Sequence, residues 1–293
     1  VPSGGYTWTP TGQPPPVEPA SVHHGGSPSQ QRRGGIAGGI IAAAIGLAKY
    51  GFLLLKFGKL GGTVISFGLS LLVYIGLFGW QFGLGAILLI AVHEFGHVFF
   101  AKLQRLPMSM PIFLFGFGAV TRVAGFRDAR QEAIVAIGGP VTGTGAALLC
   151  LLFAQLLPEG NLRYLMLALA YWGCLINLFN LIPMSPLDGG RIASGVSKWT
   201  NVAGIAIVVL MIAAYAASGA ALNPFLVIIL LFGIYSTWGR FRRARDGQEP
   251  PPLPSGTRLA IGVAYLAVLV ISALGMSVAH STLLNHGIGH QIV

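Results

Sequence analysis

Charge is scarce in this chain. Asp, Glu, Lys and Arg make up 9% of its 293 residues, against about 25% in a soluble globular domain. That shortage excludes an ordinary water-soluble fold. Acidic residues are scarcer still, eight in all, so any acid inside an apolar segment stands out. Cysteine is nearly absent. Cys150 and Cys174 both lie within apolar runs, which excludes a disulfide framework and leaves two small core residues. The net charge of +10 raises nucleic acid as a partner. No aromatic-basic platform or binding motif accompanies it, so no nucleic-acid partner is expected. No cleavable signal peptide is recognised near Val1.

What the chain has instead is hydrophobic length. Hydrophobic residues reach 54% and the mean hydropathy is +0.73. Several runs approach the roughly 20 residues that cross a bilayer as helix. The expected fold is an all-α polytopic membrane protein. Seven spanning candidates fall near 61–80, 82–101, 132–157, 163–182, 201–218, 223–239 and 259–279, with Trp80-Gln81 read as a tight turn between the first two. Residues 1–35 are rich in Pro, Gly and Ser and read as a disordered tail, in which His23 and His24 are solvated. Residues 36–60 read as an interfacial amphipathic helix, because Lys49, Lys56 and Lys59 share one helical face. A first spanning helix is the alternative there. A membrane-embedded domain over 61–280 and a C-terminal tail over 281–293 complete the division.

Basic residues mark cytoplasmic segments. With the N-terminal tail inside and 36–60 interfacial, 17 of the 18 Lys and Arg residues fall on the cytoplasmic side, Arg163 being the exception. The run Arg240, Arg242, Arg243 and Arg245 reads as a topology anchor that also touches anionic lipid. The segment 107–123, PMSMPIFLFGFGAVTRV, is apolar but interrupted by Pro107, Pro111, Gly116 and Gly118. It is too short to span, so a β-hairpin or re-entrant segment near 107–122 is expected. A surface loop dipping into the interface is the alternative.

Within the second apolar run stands His93-Glu94-Phe95-Gly96-His97. On a helix the two histidines share a face one turn apart, the geometry for two imidazoles on one metal ion, and Glu94 can reach a water there. An ionised side chain at mid-bilayer costs about 2.5–3.5 kcal/mol, so such residues are functional candidates. Two histidines simply packed in a bundle would leave Glu94 without an account. A catalytic zinc site has three protein ligands and an open position. Asp188 stands out as the third, in Asn180-Leu-Ile-Pro183-Met-Ser-Pro186-Leu-Asp188-Gly189-Gly190. It follows an apolar helix broken by two prolines, and the topology above brings it to the depth of His97. An N-cap for a helix starting near Gly189 is the alternative role.

HEFGH followed by NLIPMSPLDGG resembles the site-2 protease family of intramembrane metalloproteases (peptidase family M50). The motifs, their order and the intervening helix with Ile137-Gly138-Gly139-Pro140 all match, over about 82–192. The resemblance implies Zn²⁺ bound by His93, His97 and Asp188, with Glu94 as general base. It assigns Asn180 to the substrate or the oxyanion, a helix–helix hydrogen bond being the other reading. It implies that the 107–122 hairpin receives an unwound substrate by strand pairing. The substrate is then a membrane-spanning protein, cut within its span in regulated intramembrane proteolysis, and the setting is a multi-pass protein of a bacterial inner membrane with its site towards the cytoplasm. The family's PDZ insertion and a CBS-like domain are not recognisable in these residues, a minimal form.

Two competitors stand beside this expectation. A protease with a glutamate as third ligand needs Glu132, Glu159 or Glu249, all poorly placed. A non-catalytic metal-binding membrane scaffold or transporter would have no use for Glu94. A second metal site at His280, His286 and His290 is disfavoured, since that tail lacks a strong helical pattern and solvated histidines account for it.

Overall fold

The computed structural model describes residues 59–114, 118–197, 199–219, 224–246 and 253–285. The N-terminal tail, nearly all of the interfacial segment, Glu249, His286 and His290 lie outside them. Eight helices and one small sheet are described: α1 (Lys59–Phe78), α2 (Trp80–Leu103), β1 (Ile112–Phe113), β2 (Ala119–Val120), α3 (Ala129–Leu156), α4 (Asn161–Asn180), α5 (Asp188–Ser194), α6 (Thr200–Ala217), α7 (Pro224–Arg245) and α8 (Ser255–Asn285). The all-α polytopic architecture is thus observed, with six helices long and apolar enough to cross a membrane. The seventh candidate, α7, is a helix but not one of the six. Four arginines fill its last turns, which shortens its apolar stretch. The basic anchor is therefore the end of a helix and not a loop.

The turn between α1 and α2 is one residue earlier and shorter than the sequence implied. Trp80 opens α2, and the break is Gly79 alone at φ +83°, a conformation glycine adopts without steric cost. At the other end of α2 the helix stops in a left-handed Arg105 (φ 54°), with the Leu106 amide returning to the Ala101 carbonyl at 3.0 Å. α3 starts where its chemistry dictates: Asp128 caps the Gln131 amide at 2.8 Å while Gln131 reaches back to the Arg127 amide at 3.0 Å.

α2 is the most buried of the six long helices. It packs on α1 and α3, and α4 packs on α3 and α8. Its outer stripe of Leu88, Val92, Phe95 and Phe99 is left exposed. In water that stripe would be costly, whereas against lipid it is ordinary. Its inner stripe carries Ile87, Ile90, His93, Glu94, His97 and Ala101, all buried. Close approach of α2 and α3 depends on glycine. A side chain at Gly138 would stand 2.9 Å from the Gly96 carbonyl oxygen.

The breaker-rich segment is a hairpin. Ile112 pairs with Val120 and Phe113 with Ala119, antiparallel, and an isolated bridge joins Met108 to Val123. Its tip lies outside the described residues. β1 is tied to α1, because the Phe113 amide donates to Ser66 Oγ at 3.1 Å, and Phe113 sits in a cluster with Tyr74, Ile87 and Ile90.

α8 runs to Asn285, further than expected, so His280 is helical and its ring lies 5.4 Å from that of Tyr171. α8 is pinned to α3 by Thr144 Oγ1 and Ser272 Oγ, 2.7 Å apart. Ser272 already donates to the Val268 carbonyl at 2.8 Å, so Thr144 is the donor of the pair. Such interhelical bonds contribute about 0.6 kcal/mol on average and up to about 1.7. Thr144→Val is expected to lower thermal stability in detergent by about 1 kcal/mol. Adding Ser272→Ala should cost little more, and a double-mutant cycle on the melting curves measures that coupling.

Candidate metal centre

Four helices and the hairpin converge on one point. α2 supplies His93, Glu94 and His97, at 4%, 5% and 5% relative exposure, and the first residue of α5 supplies Asp188 at 8%. Asp188 Oδ2 lies 3.1 Å from His93 Nε2 and 3.2 Å from His97 Nε2. The two Nε2 atoms are 3.3 Å apart. The sequence pairing of HEFGH with LDGG is therefore a spatial pairing. Asp188 is not an N-cap: Leu187 holds that position, and no side-chain cap bond is made there.

The remaining ring nitrogens decide what this triangle can hold. His97 Nδ1 lies 2.9 Å from the Val135 carbonyl oxygen, which can only accept, so Nδ1 carries a proton. His93 Nδ1 lies 2.9 Å from Asn177 Oδ1. The Asn177 amide nitrogen donates to the Gly173 carbonyl at 2.8 Å, which turns its oxygen to the histidine, so this Nδ1 also carries a proton. Neutral imidazole has one N–H. With both rings neutral, both Nε2 atoms are acceptors, facing each other and a carboxylate oxygen with no donor between them. A cation resolves that arrangement. A tetrahedral zinc with bonds of about 2.0–2.1 Å sets its ligand atoms about 3.3 Å apart, which matches the three edges. The His93, Glu94 and His97 donor atoms also fall within 4.8 Å of one another, buried throughout.

The space is kept open by a missing side chain. A Cβ at Gly139 of α3 would stand 2.8 Å from His93 Nε2 and closer still to His97 Nε2. One turn on, a Cβ at Gly143 would collide with Asn177. These glycines make room for the histidines and for the amide behind them.

The outer side of Asp188 faces Arg191. Its Nη1 is 3.6 Å from Asp188 Oδ1, and its Nε is 3.5 Å from Glu132 Oε1. Glu132 is therefore engaged away from the triangle, which removes it as a third ligand. Glu94 points towards the hairpin, where the Thr121 hydroxyl donates to its Oε2 at 2.8 Å.

Asn180 ends α4 half-buried. Among the described residues its side chain makes no hydrogen bond to His93, His97 or Asp188. The amide that does reach the centre is Asn177, 3% exposed. The sequence reading missed it, although an amide in an apolar helix was available as a signal.

The chain is similar in sequence to known proteins named as zinc metalloproteases. Over 166 aligned positions the chain is 26% identical to a protein of Mycobacterium tuberculosis named as zinc metalloprotease Rip3, covering 47% of this chain and 42% of the relative. Over 146 positions it is 30% identical to the chloroplastic zinc metalloprotease EGY2 of Oryza sativa, covering 36% and 27%. Over 147 positions it is 28% identical to EGY2 of Arabidopsis thaliana, covering 36% and 26%. In each case the protease name is an assignment, and it is said of those proteins. The chain spans less than half the length of these curated relatives. No protein-family model matches it. The relatives bear out the resemblance to the site-2 protease family and imply zinc as the metal.

Outer-sphere partners of a ligating histidine typically contribute 10–100-fold in metal affinity. Asn177→Leu is accordingly expected to weaken zinc binding by about that factor, read by competition with a chromophoric chelator. Gly139→Ala should abolish stoichiometric zinc in protein that still elutes as wild type, checked by elemental analysis of the purified peak.

Proposed function

We propose that this chain is an intramembrane zinc metalloendopeptidase of the site-2 protease type, cutting a peptide bond within the membrane-spanning helix of another protein. One observation carries the proposal. Three atoms from His93, His97 and Asp188 converge at 3.1–3.3 Å with the Glu94 carboxylate beside them, and both histidines and Glu94 belong to a helix of membrane-spanning length. In this reading His93, His97 and Asp188 hold the metal and Glu94 is the general base.

Bound zinc would supply Lewis-acid polarisation of a carbonyl and acidify a water towards neutrality. The rest is work for the chain. Val135 and Asn177 hold each imidazole in one tautomer and one orientation. Glu94 accepts the proton of the attacking water and returns it to the leaving amine. The collapse of the resulting tetrahedral centre releases the two peptide ends. Asn180, at the end of α4, is assigned to the substrate or the developing oxyanion.

A helical substrate hides its peptide bonds in its own hydrogen bonds, so it must unwind before it is cut. The hairpin over 107–123 offers a strand edge on which an unwound segment can pair. The basic-residue distribution supports a site opening towards the cytoplasm, most simply that of a bacterial inner membrane. Water then has a short path in.

Glu94→Gln is expected to keep zinc at wild-type stoichiometry and to lose cleavage of a transmembrane substrate reconstituted in liposomes. Asp188→Ala should lose zinc. A Glu94→Gln protein that cuts at the wild-type rate would remove the base assignment and favour a metal-binding scaffold. The same variant expressed in membranes should trap uncut single-span proteins, identifiable by mass spectrometry.

A further inference from the structure

The hairpin does more than border the site, because one of its residues touches the base. Burial alternates along its second arm. Ala119, Thr121 and Val123 are half-buried, whereas Val120, Arg122 and Ala124 are exposed. The inner face packs on the core: Ala119 joins the cluster of Ile87, Ile90 and Phe113, and Val123 joins that of Ala101, Leu106 and Val135. Thr121 lies between them and carries the hydroxyl of that face, and it donates to Glu94 Oε2 at 2.8 Å.

The register fixes this placement. The Leu114 amide bonds the Gly118 carbonyl at 2.8 Å, and the Ser109 amide bonds the Arg122 carbonyl at 2.8 Å. Phe113 and Ala119 are therefore a pair whose main-chain groups point outward, and the Phe113 amide accordingly turns to Ser66. By the same alternation, Ala119 and Thr121 present their N–H and C=O to the outer edge of the second arm. Among the described residues no other element's backbone pairs with them. A one-residue slip would bring Val120 or Arg122 inward and take the hydroxyl from Glu94.

We propose that Thr121 is a positioning residue that couples substrate pairing to catalysis: its backbone lies on the strand edge open to an incoming chain, and its hydroxyl holds the Glu94 carboxylate. This rests on the protease reading above. With Oε2 held, Oε1 is left to take the proton. A substrate strand that adds to the outer edge braces Thr121 and so fixes the base at the moment a peptide bond arrives.

The test compares the wild-type chain, Thr121→Val, Thr121→Ser and Glu94→Gln in liposomes. The probe is a synthetic single-span peptide with a Gly-Pro pair in its span and a fluorophore and quencher at its ends. Thr121→Val keeps the shape of threonine and removes the hydroxyl. It is expected to lower kcat at least about tenfold with KM within about twofold and zinc content unchanged, and Thr121→Ser should restore most of the rate. The carboxylate stretch assigned to Glu94 by subtracting the Glu94→Gln infrared spectrum should shift in Thr121→Val and not in Thr121→Ser. A wild type that cuts the probe alongside an equally active Thr121→Val, or an unshifted band, overturns the role of Thr121 alone. A wild type that leaves the probe uncut, or cuts it no faster than Glu94→Gln, overturns the protease reading and this inference with it.

Discussion

Two imidazole nitrogens and one carboxylate oxygen, facing one another at 3.1–3.3 Å, are the constraint around which this bundle is arranged. Each imidazole is forced into its tautomer by a partner that can only accept, the Val135 carbonyl for His97 and the Asn177 side-chain oxygen for His93. Those partners come from α3 and α4. Holding the triangle therefore requires both helices at defined heights and rotations against α2, and it requires the 181–187 turn to deliver Asp188 opposite them.

Close packing follows from that requirement. α3 cannot approach two histidine rings with ordinary side chains on its inner face, and residues 138, 139 and 143 are glycine there. Tyr265 of α8 donates its hydroxyl to the Leu181 carbonyl at the end of α4, which satisfies a main-chain group freed where the helix breaks before Pro183. Arg191 spans Asp188 and Glu132 and so joins α5 to the start of α3. Among the described residues, the buried histidines and carboxylates, His93, Glu94, His97 and Asp188, thus gather around a single point.

Much of this was legible in the sequence, and the divide is physical. Apolar runs and basic clusters gave the long helices, because bilayer thickness and loop charge leave few choices. HEFGH and LDGG gave the ligand candidates, because metal chemistry restricts residue types and spacing. The hairpin was legible as breakers in an apolar stretch, but not its register, which depends on α1 and α2. Asn177 was hidden for a different reason. Its role depends on which face of α4 meets α2, which the residues of α4 alone do not state. Asn180 drew attention through its motif, while the amide one turn earlier makes the contact. Thr121 was equally silent, since a lone threonine in a strand has no signature until its neighbour is known.

The exposed stripe of α2 has a further consequence. Leu88, Val92, Phe95 and Phe99 lie on the opposite side of the same helix that carries both histidines. A helix with its side chains is about 10–12 Å across, so on that flank the centre has hydrocarbon for a neighbour at a single helix's remove. Dissolved ions do not enter hydrocarbon, and screening needs ions within about 10 Å at ordinary salt. On that flank the centre's charges act on one another without an ionic atmosphere, and their pull on any neighbouring dipole is set by the protein's own arrangement and not by the composition of the surrounding solution.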